Sequence, residues 1–222
     1  MSSVANFIYL IGNQYYRGKD SFVLEAQKQF EHELSIDGWA APGFMKLLNI
    51  AVSDCMYQDE YYLEIGTYAG RSLAGALQGN KVNAYVIDNF WDSETLLPSF
   101  EKTLTRFNLK DRVAYYNGNA ETCQADLPQI GVMLYDANHD RGHTHFNLNK
   151  YERFLSDEAI IIVDDLEIEA GLGHKEFPGY VMKSMTPVMD DVIQWLREHP
   201  KCDLIMVSPW TFKQAIIHYR RA

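Results

Sequence analysis

Two groups of residues in this chain have the types and spacing to do chemistry. The first is Tyr61 to Ser72, Tyr-Tyr-Leu-Glu-Ile-Gly-Thr-Tyr-Ala-Gly-Arg-Ser. An apolar run meets Glu64-x-Gly66-x-x-x-Gly70, a helix-compatible stretch follows from Ser72 to Gln78, and Gly79 closes it. A second strand-like run, Asn83 to Ile87, ends on Asp88. Glycines let the backbone turn sharply and approach a ligand closely. An acid about twenty residues on can accept hydrogen bonds from both hydroxyls of a ribose. Strand, glycine turn, helix, strand, acid is the first half of a nucleotide-binding α/β unit. The second group is Asp136-Ala-Asn-His139 with the pair Asp164-Asp165. Three carboxylates at the ends of adjacent strands repel one another at neutral pH unless something positive binds them. Oxygen-only ligation suits Mg²⁺, Mn²⁺ or Ca²⁺ rather than zinc. The plain alternative is that Asp164 and Asp165 are solvated or cap the next turn.

The elements that must position these groups follow from periodicity. The first sixty residues read as helical. Ser21 can cap a helix carrying Phe22, Ala26, Phe30 and Leu34 and ending near Asp37-Gly38. Pro42 can open a second, with Phe44, Leu47, Leu48, Ala51 and Cys55 on one face. The loop Gly38-Trp39-Ala40-Ala41 leads toward the glycine turn and is placed to border the site. Beyond Asp88, Pro98 opens a helix with Phe100, Leu104 and Phe107, and strands are expected at Arg112 to Tyr116 and Val132 to Tyr135. A helix over Phe146 to Leu155 precedes a β-branched strand from Ala159 to Val163. Thr186-Pro187 caps a helix whose face is Met189, Val192, Ile193 and Leu196. Cys202 to Val207 and Phe212 to Tyr219 have no long helix between them and should pair as an antiparallel hairpin. The fold class is therefore α/β, a Rossmann-like seven-stranded sheet, mostly parallel, with helices on both faces. It divides into a helical segment, 1-58, and a cofactor-binding domain, 59-222.

Composition narrows the partners. Twenty basic and thirty acidic side chains give a net charge of −10 over 222 residues. Such a surface repels nucleic acid and anionic membrane. The apolar run Val4 to Ile11 is too short to span a bilayer, and no basic residue precedes it. Cys55, Cys123 and Cys202 are widely spaced, without a Cys-x-x-Cys, and fit a reducing, cytoplasmic setting. A homo-oligomer is compatible with all of this.

Charge also selects the nucleotide. A dinucleotide site wants Gly-x-Gly-x-x-Gly, because a pyrophosphate sits on bare amides at a helix N-terminus. Glu64 occupies the place of the first glycine and would repel phosphate. A cofactor with a ribose, no phosphate, and cationic ammonium and sulfonium groups suits the turn better. An ordinary βα turn with no ligand is the alternative. The Glu-x-Gly-x-x-x-Gly pattern resembles the first motif of class I S-adenosylmethionine-dependent methyltransferases, and the resemblance covers roughly residues 60 to 220. It implies a cofactor site made by Glu64, Gly66, Tyr68, Gly70 and Ser72, by Asp88 and Asn89, by Asn119 and Ala120, and by Asp136. Gly118-Asn119-Ala120 stands where these enzymes commonly have a Gly-Asp-Ala-like turn around the adenine, although Asn119 reads equally well as a plain turn residue. Asn89-Phe90-Trp91 would add an apolar wall.

The acidic group resembles that of the metal-dependent O-methyltransferases, particularly the branch acting on sugar hydroxyls of macrolide-type natural products. That resemblance implies Asp136, Asp164 and Asp165 as ligands of a divalent metal, Mg²⁺ first, and His139 as general base. The catechol branch ends its acidic pair as Asp-Asn, and Asp165 departs from that. A carboxylate base two residues after the first metal ligand is ruled out here by Asn138, while His143, His145 and His174 compete with His139. Glu167 to Tyr180, rich in glycine, is expected to be a lid facing the acceptor. The expected activity is O-methylation of a small hydroxylated molecule of sugar or natural-product type. Its rivals are a metal-independent N- or C-methyltransferase and a nucleotide-binding regulatory protein without turnover.

Overall fold

The structure, a computed structural model, describes residues 3–166, 168–170, 180–182, 186–208 and 213–221. Helices α1 (Ser3–Gln29) and α2 (Pro42–Cys55) come first, joined through a single 3-10 turn at Glu33–Ser35. Then follow β1 (Tyr61–Ile65), α3 (Arg71–Leu77), β2 (Asn83–Asp88), α4 (Leu96–Arg106) and β3 (Val113–Asn117). The chain continues through β4 (Ile130–Tyr135), α5 (His143–Glu152) and β5 (Leu155–Val163) to a short pair, β6 (Ile168–Ala170) and β7 (Tyr180–Met182). Helix α6 (Pro187–Glu198) and strands β8 (Asp203–Val207) and β9 (Ala215–Arg220) complete it.

Seven strands form one sheet in the order β3-β2-β1-β4-β5-β9-β8. Strands β1 to β5 are mutually parallel. Strand β9 runs antiparallel to β5 and pairs with β8 as the expected terminal hairpin. Side chains alternate between faces with a period of two. Tyr62, Val132, Leu134, Ile160 and Ile162 meet Leu48 and Leu73 from α2 and α3 on one face. Leu63, Met133, Ile161 and Val163 meet Leu148 and Trp195 from α5 and α6 on the other. Both faces are apolar, which is why the central strands read as unbroken hydrophobic runs.

Several boundaries differ from the sequence reading. Ser21 does not open a helix but lies inside α1, whose buried Val4, Phe7, Ile11, Phe22 and Ala26 form one stripe. Ile11 and Phe22 are separated by about three turns, so the two apolar runs share a face and one long helix serves both. Val4, Phe7 and Ile11 join the core that the sheet shares with α2 and α3, while Ala26 packs in a smaller cluster with Phe30 and Met45. Helix α4 begins before Pro98, which sits in the first turn where its missing N–H is not needed. Helix α5 ends at Glu152, because Leu155 pairs with Ile130 as the first residue of β5. Thr186 caps α6 as expected, its hydroxyl accepting from the Met189 amide at 3.3 Å. The buried face is Val188, Val192 and Trp195, with Met189, Ile193 and Leu196 only partly buried. Of the segment Glu167 to Tyr180, expected to be a lid, residues 167 and 171–179, with His174, lie outside the described residues, as does Phe212. The flanking β6 and β7 pair antiparallel. Among the described residues, no helix is long and apolar enough to cross a membrane. All three cysteines are buried and none is in a disulfide.

Helix α3 is short, and its exposed carbonyls are satisfied by side chains from outside it. Asn49 donates from one amide nitrogen toward Gly75 O at 3.0 Å, Ala76 O at 3.2 Å and Gln78 O at 2.8 Å. Asn80 adds a bond to Ala76 O at 2.8 Å. Arg112 reaches the carbonyls of Leu77, at 3.3 Å, and Val82, at 3.2 Å. Replacing Asn49 leaves part-buried acceptors without a donor, so Asn49→Ala should cost about 1–3 kcal/mol. Urea denaturation checks this; an unchanged midpoint would mean that water replaces the amide at no cost.

Candidate functional site

The glycine turn leaves β1 under tight constraint. Gly66 has φ +86°, and a Cβ there would lie 1.8 Å from the backbone oxygen of Asp136. The position must be glycine because the end of β4 presses on it. Gly66 N donates to Ile87 O at 2.9 Å and Asp136 N to Ile65 O at 2.8 Å, which ties β1, β2 and β4 together at their C-terminal ends. A Cβ on Gly70, at φ +88°, would meet Phe100 and Thr103 at 3.2 Å instead of the site. Between the glycines Tyr68 sits at φ +55°, in the left-handed region that a non-glycine residue adopts at a cost.

A cavity of about 520 Å³ opens at these strand ends. Of the expected cofactor residues, Gly66, Tyr68, Ser72 and Asp88 line one side, and Asn89, Asn119, Ala120 and Asp136 line the rest. Glu64 and Gly70 do not line it. Glu64 is fully buried behind the wall, accepting from Tyr62 Oη at 2.6 Å and Ser72 Oγ at 2.8 Å. Burial raises its pKa to about 7, against the hydrogen bonds of its hydroxyl neighbours. Glu64 is thus screened from the cavity by Ser72, which lines it. With its O–H committed to Glu64, the Ser72 oxygen presents lone pairs as an acceptor.

Asp88 is also partly committed. One carboxylate oxygen accepts from Thr67 N at 2.7 Å and Tyr68 N at 2.9 Å, and the other from Phe90 N at 2.6 Å. A carboxylate offers roughly four acceptor directions. One remains for a ribose hydroxyl, not the pair the sequence suggests.

Across the cavity, Asp136, His139 and Asp165 bring one donor atom each within 4.8 Å of the others. His139 Nε2 lies 2.9 Å from Asp165 Oδ2 and 4.0 Å from Asp136 Oδ1. Burial alone would lower the histidine pKa, but the two carboxylates outweigh it and push it up to about 10. Burial raises Asp136 to about 6, with His139 pulling the other way and Asp165 adding to the rise. Asp164 lines the cavity but is engaged elsewhere. Its Oδ1 accepts from Gln214 Nε2 at 2.6 Å and from Asp165 N at 2.7 Å, and burial lifts its pKa well above the usual carboxylate range. The cluster thus differs from the expected three acids, with His139 standing in place of Asp164. These donors, two hard oxygens and an imidazole nitrogen, fit a divalent cation such as Mg²⁺ or Mn²⁺. Of the described histidines only His139 lines the cavity; His143 is bridged to Glu121, and His145 to Glu198 at 2.8 Å.

Two features of this wall escaped the sequence reading. Trp39, from the loop expected to border the site, stacks on Tyr68 with ring centroids 5.3 Å apart. Arg71 donates from Nε to Ile36 O at 2.7 Å and from Nη2 to Leu34 O at 3.3 Å, while Tyr68 Oη donates to Asp37 at 3.1 Å. Residues 34–39 are thereby strapped to the glycine turn. A Cβ on Gly38 would lie 3.3 Å from the Arg71 side chain, so glycine suits this close approach.

Residues 63–166 match the family model of a methyltransferase domain. An S-adenosylhomocysteine-bound methyltransferase from Podospora anserina has a similar structure, with 17% identity, 88% of each chain covered and a TM-score of 0.62. An O-methyltransferase from Bacillus cereus, solved with S-adenosylhomocysteine, shares 16% identity over 98% of this chain and 96% of its own, with a TM-score of 0.59. The O-methyltransferase TomG from Streptomyces achromogenes, involved in tomaymycin synthesis and solved with S-adenosylmethionine, shares 16% identity over 90% and 88%, with a TM-score of 0.55. No curated protein matches the sequence. Residues 63–166 thus carry a match to a methyltransferase domain, set in a Rossmann-like methyltransferase fold.

Two outcomes follow from the turn. Gly66→Ala places a methyl group against a backbone oxygen and strains a positive φ, so it should destabilise by at least about 1–3 kcal/mol and lower the melting temperature without any ligand present. A variant as stable as the parent would show that β4 yields. Glu64 gives a pH signature. Its folded pKa of about 7 lies above the ordinary 4.5, so the folded state holds an extra proton between those values. The stability it contributes at acid pH is lost as pH rises from 4.5 through about 7. Glu64→Gln should remove that slope and be more stable than the parent at pH 8, by roughly 1–3 kcal/mol. Parallel stability–pH curves for the two proteins would contradict the burial argument.

Proposed function

We propose that this protein transfers a methyl group from S-adenosylmethionine to a hydroxyl of a small sugar or natural-product type molecule, assisted by a divalent cation. The observation that carries the reading is one cavity shared by the glycine turn and the Asp136–His139–Asp165 cluster, both at the C-terminal ends of parallel strands. Ligands of open α/β sheets bind at these ends. The O-methyltransferases among similar folds support the choice of oxygen as acceptor. Ser72 and Asp88 hold the polar end and the ribose of the cofactor, and Trp91 and Asn89 flank the adenosine. Asp136, His139 and Asp165 would hold the cation, which lowers the pKa of an acceptor hydroxyl and orients it. A cation on His139 Nε2 would take the lone pair that a base needs, so His139 serves as proton acceptor only where Asp136 and Asp165 hold the cation without it, their combined field otherwise keeping its proton on at neutral pH. The setting is a reducing, cytoplasmic one, with no nucleic acid as partner.

One observation favours a second reading, a metal-independent methyltransferase. The imidazolium of His139 already supplies positive charge between Asp136 and Asp165. Chelation separates the two.

S-adenosylhomocysteine should raise the melting temperature by mass action, at a hundred times its Kd by about 2.7 kcal/mol of stability, while NAD⁺ should not. The reverse pattern would end the cofactor assignment. Asp136→Asn and Asp165→Asn should each weaken Mg²⁺ binding in calorimetry, whereas Asp164→Asn should change it little. Methyl transfer should cease on exhaustive chelation and return with Mg²⁺; activity that survives chelation selects the metal-independent reading.

A further inference from the structure

The turn that follows β3 is gripped from one side by helix α5. Within the turn, Asn119 folds onto its own successors. Its Oδ1 accepts from Glu121 N at 2.7 Å and its carbonyl from Cys123 N at 3.0 Å. Those bonds use amides, and the carbonyls of Ala120 and Glu121 find their donors on the helix. Lys150 Nζ donates to Ala120 O at 2.7 Å and to Glu121 O at 2.7 Å, and Tyr151 Oη donates to Ala120 O at 2.7 Å. His143, at the start of the same helix, bridges the Glu121 carboxylate. Three side chains of a ten-residue helix thus hold two consecutive residues of the turn.

The helix is itself anchored. It buries Thr144, Asn147, Leu148 and Tyr151. The buried carboxylate of Asp191, on α6, accepts from the Gly142 amide at 2.8 Å, just before the first turn of α5. An ammonium on neutral carbonyls makes charge-assisted bonds, the stronger kind. Groups held from a packed helix place a ligand more precisely than groups on a free loop. Gly118, Asn119, Ala120 and Glu121 all line the cavity, while Lys150 and Tyr151 are outside its described lining.

The place of this turn in the sheet fits it to one part of the cofactor. Asn117 pairs with Asp88 across β3 and β2, and Gly118 N donates to Asp88 O at 2.9 Å. A ribose held by the Asp88 carboxylate therefore carries its base toward this turn, the next in the row of strand ends. A turn that had to be ordered as the base arrived would take that cost out of affinity.

We infer that Lys150 and Tyr151 are positioning residues for cofactor binding: from outside the cavity they hold residues 118–121 in the form that receives the base. This rests on the methyl-transfer reading, and adds to it the groups that preorganise the adenosine end.

The test titrates S-adenosylhomocysteine by calorimetry into the full chain and three variants, well below the melting temperature of each unliganded protein, which is also recorded. If the parent fails to bind, the methyl-transfer reading falls and the positioning role with it. If the parent binds, Lys150→Met should weaken the ligand by at least about tenfold, the equivalent of one hydrogen bond to a charged group. Lys150→Arg, which keeps a charged donor for the two carbonyls, should stay within about threefold of the parent. Tyr151→Phe keeps the packed ring and removes one donor, so it should weaken the ligand by about threefold. Tyr151→Phe also decides the matter if Lys150→Met does not fold. A grip that serves stability alone gives a different pattern, lower melting temperatures with unchanged affinity. That pattern overturns the inference, as does a Lys150→Arg protein that binds as weakly as Lys150→Met.

Discussion

The site depends on how closely three strand ends crowd together. Gly66 meets the Asp136 carbonyl where no side chain would fit, and amide bonds from Gly66 to Ile87 and from Asp136 to Ile65 lock β1, β2 and β4 at one level. Because those ends are level, Ser72, Asp88 and Asp136 reach one cavity. The strain recorded at Tyr68 and Asp165, both at positive φ, is what a backbone accepts when its neighbours over-determine its path.

Electrostatics then divides the cavity. On the glycine side the charges are tamed: Glu64 is buried under hydroxyls, and Asp88 is clasped by amides. On the far side Asp136 and Asp165 converge with only an imidazole between them. The first arrangement suits a ligand held by neutral hydrogen bonds, and the second suits a proton or a metal ion.

Much of the fold was legible because both its periodicities are local. The alternation of β/α elements, the glycine turn, the Thr186-Pro187 cap and the terminal hairpin all show in neighbouring residues. The reading failed where partners lie far apart in sequence. Gln214 claims Asp164 across 50 positions, and nothing near either residue signals it. Arg71 reaches back to Ile36, a separation of 35, and nothing near it in sequence signals the strap. Helix α1 was misjudged for a different reason: two apolar runs about three turns apart read as separate elements unless their phase is compared. Glu64 was placed correctly in the chain but given the wrong partner, because a strand residue beside a glycine can face either layer.

The clasp at Asp88 has a consequence for observing this molecule in motion. Its carboxylate covers the Thr67 and Tyr68 amides, which no strand or helix would otherwise occupy. Their hydrogen exchange with solvent therefore reports how often the glycine turn opens, apart from global unfolding. Two backbone amides in the middle of the chain become a stopwatch on the turn, legible by magnetic resonance before the acceptor is known.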